Sequence, residues 1–566
     1  MENGQNKIAG DPSTPETPSP LHLLGVDYWH VKTRAGGDLY TTQYGRPFLN
    51  HLMPENWLEA RWFEQNREKL EGSSTVYRTR TRPLNGRSLE IVVKWCRVGE
   101  QVPFDTMTLN KFAQAEFNSP YEEFSCLMEM RDTRPGLIRT HKPLAIYVPP
   151  ERLEVWQTGR SESTIAHKKA KHRDVELDIC RQYILIYEWI KGVSAVEGLA
   201  RTSLSKPQQS DILERLTLKV IQDLAVRGFR VIDTKPAHII VRVNPDGYLL
   251  KDPAGNIAYA LVDFELLERT PEYDQKVTHA RRAVYLKRQR DRFGETASHA
   301  YPSHLQPVRI FGIDYVFGHT ESTQGALWVV GKDPALFDYF LPERWRRTHK
   351  VKLSEGNDVF FTKTKDDINI VWKVSRMGER PDVNPQSPGA SRALAYGYNS
   401  PFEEFTFALE TSRHGISTAY PRAIYMTGLE TKIVDYVEDK SRYESHANIR
   451  APGGVSALSP NHNYITIWGF WNGVDEMLAA ADRVYCEGIN LRLATYTGYV
   501  SKTDHEALLD IERQRLLKIG LEDLNLKDDH ILLSLDPRGL LIRDAEGIPE
   551  MRLCNFELVA RIPSSP

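Results

Sequence analysis

The chain has 566 residues, more than one hydrophobic core commonly supports, so two or more domains are expected. With 41% hydrophobic and 26% charged residues it has the composition of a folded globular chain, and a formal net charge of −2 argues against a global field that gathers nucleic acid or anionic membrane. Its five cysteines, Cys96, Cys126, Cys180, Cys486 and Cys554, are odd in number and lack any C-x-x-C spacing, which argues against a disulfide framework or structural zinc and for a reducing, cytoplasmic setting.

Residues 1–20, rich in Pro, Ser, Thr and Gly, read as a disordered tail without the charged-then-apolar order of a secretory signal. The longest apolar stretch, Tyr464 to Trp471, falls far short of the roughly 20 residues that a membrane helix needs, so no membrane span is expected.

From Leu23 onward the chain repeats itself in order. LLGVDY (Leu23–Tyr28) returns as IFGIDY (Ile310–Tyr315), MPENW (Met53–Trp57) as LPERW (Leu341–Trp345), and VYRTRT ending at Thr81 as VFFTKT ending at Thr364. IVVKW around Lys94 matches IVWKV around Lys373, and NSPYEEF (Asn118–Phe124) matches NSPFEEF (Asn399–Phe405). YILIYEWIKGV from Tyr183 matches YITIWGFWNGV from Tyr464, and DFELLER from Asp263 matches NFELVAR from Asn555. So long a period means duplicated domains rather than a solenoid, and the expected boundary lies near Ser303, giving domains at 21–302 and 303–566.

Each half predicts the same succession: β-rich segments, an acidic helix begun by Ser-Pro, more strands, a helix, and a final strand pair, an α+β order. The late helix is the clearest, because Leu213, Leu216, Val220 and Leu224 recur at three- and four-residue steps and Gly228 supplies the stop. Its counterpart ends at Gly520.

The segment Glu71 to Trp95, with Gly72 in a turn and Lys94 on a strand, resembles the opening of a protein-kinase-like fold. DTKPAH (Asp233–His238) followed by VDFE (Val262–Glu265) resembles the D-x-K-P-x-N and D-F-G signatures of that superfamily, with small atypical kinases of the lipopolysaccharide- or sugar-kinase type as the nearer likeness. The resemblance implies two tandem, two-lobed kinase-like domains with minimal C-lobes, and ATP and magnesium as cofactors. It also implies roles: Lys94 on the phosphates, Glu122 or Glu123 holding that lysine, and Glu188 within the strand and hinge that receive adenine. Asp233 would be the base, Lys235 would neutralise developing charge, and Asp263 would hold metal.

Two positions depart from the pattern. His238 replaces the metal-binding Asn, and imidazole is a poor ligand for a hard ion; Glu265 replaces the last glycine and is expected to add an oxygen ligand. In the second copy Asn525 and Asn555 replace both aspartates, and an amide is neither a base nor a charged ligand, so this half reads as a pseudokinase. The runs His167–Arg173 and Arg281–Arg292 read as solvated basic surfaces. The expected function is thus an ATP- and magnesium-binding kinase-like protein whose first copy transfers phosphate to a hydroxyl acceptor. The alternative is a tandem pseudokinase that serves only as an interaction scaffold for a protein partner.

Overall fold

The computed structural model describes residues 17–70, 75–96, 117–132, 138–152, 181–294, 301–354, 356–386, 389–428, 437–454, 456–470 and 487–562. Gly72, the run His167–Arg173, Cys180 and Cys486 lie outside them. Mixed helices and mainly antiparallel sheets make the fold α+β, and no helix among the described residues is long and apolar enough to cross a membrane.

The chain divides into two compact units. Among the described residues the first runs to Val277 and takes in Pro302–His304, and the second comprises Thr278–Tyr301 and everything from Leu305. The division therefore falls earlier than the repeat suggests, inside the helix Pro271–Arg290. The cause is the basic run itself. Arg281 pairs with Asp366 and, at 2.8 Å, with Asp338, and Arg288 reaches Asp333 at 2.8 Å, so these arginines are fixed inside the second unit rather than solvated.

In the first unit an eight-stranded sheet runs in the order Ser19–Leu23, Val26–Lys32, Asp38–Thr41, Pro143–Val148, Ile184–Glu188, Glu90–Trp95, Val76–Arg80, Glu68–Lys69. The opening hairpin explains the first repeated motif: Leu24 and Gly25 both take positive φ (51° and 84°), as a two-residue turn matched to strand twist demands, and Phe311 and Gly312 repeat it at 47° and 79°. The MPENW and LPERW motifs bury Trp57 and Trp345, whose indole N–H groups donate to Leu52 O and Phe340 O at 2.8 and 3.0 Å.

The helix Pro120–Asp132 follows, then Lys206–Val226, which buries Leu216, Val220 and Leu224 on one face. Two small sheets complete the unit, Val193–Ser194 with Ile239–Val241, Tyr259–Leu261 and Arg139–Thr140, and Phe229–Val231 with Leu267–Arg269. The second unit repeats this plan, with an eight-stranded sheet in the order Gln306–Ile310, Ile313–Thr320, Gly325–Val330, Tyr420–Met426, Tyr464–Gly469, Asn369–Val374, Val359–Lys363, Lys350–Lys352. Its helices Pro401–Arg413 and Lys502–Lys518 hold the corresponding places.

Candidate functional site

Lys94 sits near the end of its strand, between Val76–Arg80 and Ile184–Glu188, with only 5% of its surface exposed. A buried ammonium needs compensation, and three carboxylates supply it: Asp263 Oδ1 at 2.7 Å, Glu265 Oε2 at 3.1 Å and Glu123 Oε1 at 3.6 Å. Burial alone would depress the Lys94 pKa, but the negative charges of Asp263, Glu123 and Glu265 outweigh it and hold the lysine above its ordinary range.

The repeated NSP-EE motif builds this arrangement, one residue at a time. Asn118 N–H donates to Glu265 O at 2.9 Å and its side chain donates to Leu267 O, which ties the segment after Asp263 to the start of the helix. Pro120 occupies the first helical position. Ser119 and Glu122 cap one another: the Ser119 N–H donates to Glu122 Oε2 at 3.0 Å and the Glu122 N–H to Ser119 Oγ at 3.2 Å. Of the two glutamates considered from sequence, Glu122 is thus the cap and Glu123 the lysine's partner. Burial raises the Glu123 pKa, opposed by Lys94 and by the Tyr187 hydroxyl, which donates to Glu123 Oε1.

Two aromatic neighbours escape the sequence reading. His141 stacks on Tyr187 with ring centroids 3.9 Å apart, and burial, aided by the nearby Lys94 charge, pushes its pKa down to about 3. Glu188, one residue beyond Tyr187, is half-exposed and pairs with Lys142 at 3.2 Å, so its side chain takes no part in the Lys94 cluster.

Asp263 adopts a left-handed backbone (φ 69°), a conformation that a non-glycine residue keeps only where its surroundings impose it. Its Oδ2 lies 3.5 Å from His238 Nε2, and the His238 N–H donates to Lys235 O at 3.0 Å. Asp233 and Lys235 pair at 2.6 Å on the partly exposed loop between Phe229–Val231 and Ile239–Val241.

Fit to magnesium follows from donor chemistry. Glu265, expected as an extra ligand, is buried against Lys94 instead, and His238 offers nitrogen to an ion that prefers oxygen. No group of three or more potential metal-binding side chains occurs among the described residues. Magnesium, however, is commonly held by one carboxylate together with phosphate oxygens and water, and Asp263, 27% exposed at its side chain, fits that single role.

The second unit keeps the frame and changes the charges. Lys373 meets Glu404 at 3.0 Å and Glu557 at 2.9 Å; Glu403 caps through Ser400, and Asn399 donates to the backbone of Phe556 and Val559. Burial pushes Glu404 up to about 7, whereas Lys373, with Arg376 and His530 in support, overcomes burial and lowers Glu557. Asn555, in place of Asp263, donates from Nδ2 to His530 Nε2 at 3.1 Å, while His530 Nδ1 faces Asp523 Oδ2 at 3.3 Å. Compared with known proteins, the chain matches no family model and no curated sequence.

Proposed function

We propose that the first unit is a kinase-like domain that binds ATP and transfers its terminal phosphoryl group to a hydroxyl acceptor, and that the second unit is a non-catalytic copy. The observation that carries this reading is the convergence of Lys94, Glu123 and Asp263, residues from a strand, a helix and a distant loop, in the combination that kinase phosphate clamps use. On this reading the eight-stranded sheet with the helix Pro120–Asp132 is the upper lobe, and the elements from Val193 on form a small lower lobe.

Lys94 receives the phosphates, exchanging Asp263 for phosphate oxygen and keeping Glu123. Asp263 would hold magnesium, whose chemistry is to neutralise phosphate charge. Asp233 accepts the proton of the attacking hydroxyl as its oxygen bonds to the terminal phosphorus and the bond to ADP breaks. Lys235, beside it, balances the charge that gathers on the transferred group. Asn525 and Asn555 deny the second unit both functions.

The scaffold reading is favoured by one observation, the complete set of carboxylates already around Lys94, which a phosphate must displace in part. Thermal unfolding with and without Mg-ATP, beside Asp263→Asn, separates the two. An upward shift that the variant loses is the expected result. No shift in either protein, both well folded, overturns nucleotide binding and leaves the scaffold.

A further inference from the structure

The second unit contains a polar cavity of about 60 Å³ lined by Arg376, Tyr398, Asn525, Lys527, His530 and Asn555, among others. Among these, Asn525, Lys527, His530 and Asn555 are the positions that the repeat aligns with Asp233, Lys235, His238 and Asp263 of the first unit, but the charges differ. In the first unit Lys235 is neutralised by Asp233 at 2.6 Å. Asn525 replaces that aspartate, and the Lys527 ammonium has no ionic or hydrogen-bonding partner among the described residues. Arg376 presents a second cation, held by Asn357 Oδ1 at 3.0 Å and by Glu379 at 3.1 Å, with its guanidinium over the Tyr398 ring.

The lining also holds three acids, one of them bound by a lysine and two of them exposed. Glu557 is bound by Lys373 at 2.9 Å, Asp529 is exposed and 3.3 Å from Arg492, and Asp382 is exposed. The histidine is fixed as well. Asn555 Nδ2 lies 3.1 Å from His530 Nε2, and His530 Nδ1 faces Asp523 Oδ2 at 3.3 Å. Two cations, the amides of Asn525 and Asn357, and the Tyr398 hydroxyl remain around a space of oxyanion size.

We propose that this cavity is a metal-independent phosphate-binding site. Where the first unit carries aspartates that call for a divalent cation between protein and phosphate, the two asparagines remove that negative charge. Lys527 and Arg376 then meet the phosphate directly, as cation-to-oxyanion contacts do elsewhere. The phosphate belongs either to a free anion or to a nucleotide. The inference needs nothing from the first unit and stands or falls without the reading given above.

Calorimetric titration of the full chain in excess chelator tests it, with inorganic phosphate in one arm and ATP in the other. Saturable binding in either arm is expected, weakened at least tenfold by Lys527→Ala and also by Asn555→Asp, which restores a negative charge without removing a cation. Binding in the phosphate arm identifies the free anion as sufficient, and binding in the ATP arm alone assigns the phosphate to a nucleotide. Absence of binding in both arms, or binding that Lys527→Ala and Asn555→Asp leave intact in folded protein, overturns the proposal.

Discussion

Lys94 Nζ lies 3.1 Å from Glu265 Oε2, and the same contact recurs in the second unit as Lys373 with Glu557 at 2.9 Å. The glutamate that follows Asp-Phe or Asn-Phe is thus part of a buried lysine's compensation in both copies, whether or not the aspartate beside it survives.

That difference sets the cost of removing it. Glu557→Gln leaves Lys373 with Glu404 alone, whereas Glu265→Gln leaves Lys94 with both Glu123 and Asp263. Destabilisation of about 3 kcal/mol is expected for Glu557→Gln and about 1 kcal/mol for Glu265→Gln, since loss of one partner from a buried pair strands the other charge. Urea unfolding of the two variants beside wild type measures it.

The adjacent glutamates of the first helix should separate cleanly. Glu122→Ala removes a cap and costs about 1 kcal/mol, with any nucleotide-induced thermal shift retained. Glu123→Ala should abolish that shift, because Lys94 loses the partner that fixes it. Melting curves with and without Mg-ATP for both variants provide the comparison.

His141 predicts an acid sensitivity. Its pKa is lowered from 6.5 to about 3 by burial and by Lys94, so between those values the unfolded chain binds a proton that the folded chain refuses. The native state therefore loses stability as pH falls from about 6.5 toward about 3. His141→Phe, which keeps a ring against Tyr187, should flatten this part of the dependence when thermal midpoints are compared across the range.

Gly228 and Gly520 close equivalent helices with φ of 83° and 77°. A Cβ at Gly228 would come within 2.4 Å of the Tyr273 ring, whereas one at Gly520 meets nothing within 4 Å. Gly520→Ala should cost about 1 kcal/mol for backbone conformation alone, and Gly228→Ala distinctly more. Chemical denaturation of the pair tests the difference.

Much of this was readable beforehand for a physical reason. The late helices carry apolar residues at helical spacing, and Lys94, Glu123 and Asp263 stand in motifs short enough to keep their local geometry. What sequence could not supply was long-range choice. Glu265 reads as a spare oxygen ligand until the fold brings Lys94 beside it, although its persistence as Glu557 next to a lost aspartate was a usable signal. Glu122 and Glu123 differ only in which side of a helical turn they face, and capping geometry decides between them. Tyr187 and His141 looked like ordinary strand and loop residues because their significance lies in stacking on each other. The arginines from 281 on read as surface because their acidic partners lie many residues further along.

Those arginines bear on how the two copies can be separated. A gene divided at Ser303, where the repeat starts anew, would deliver a second half lacking the guanidinium groups that brace Asp338 and Asp366, the latter's side chain only 2% exposed. The second compact unit begins at Thr278, inside the helix Pro271–Arg290, so the repeated unit of sequence and the packed unit of structure in this chain are offset by part of one helix.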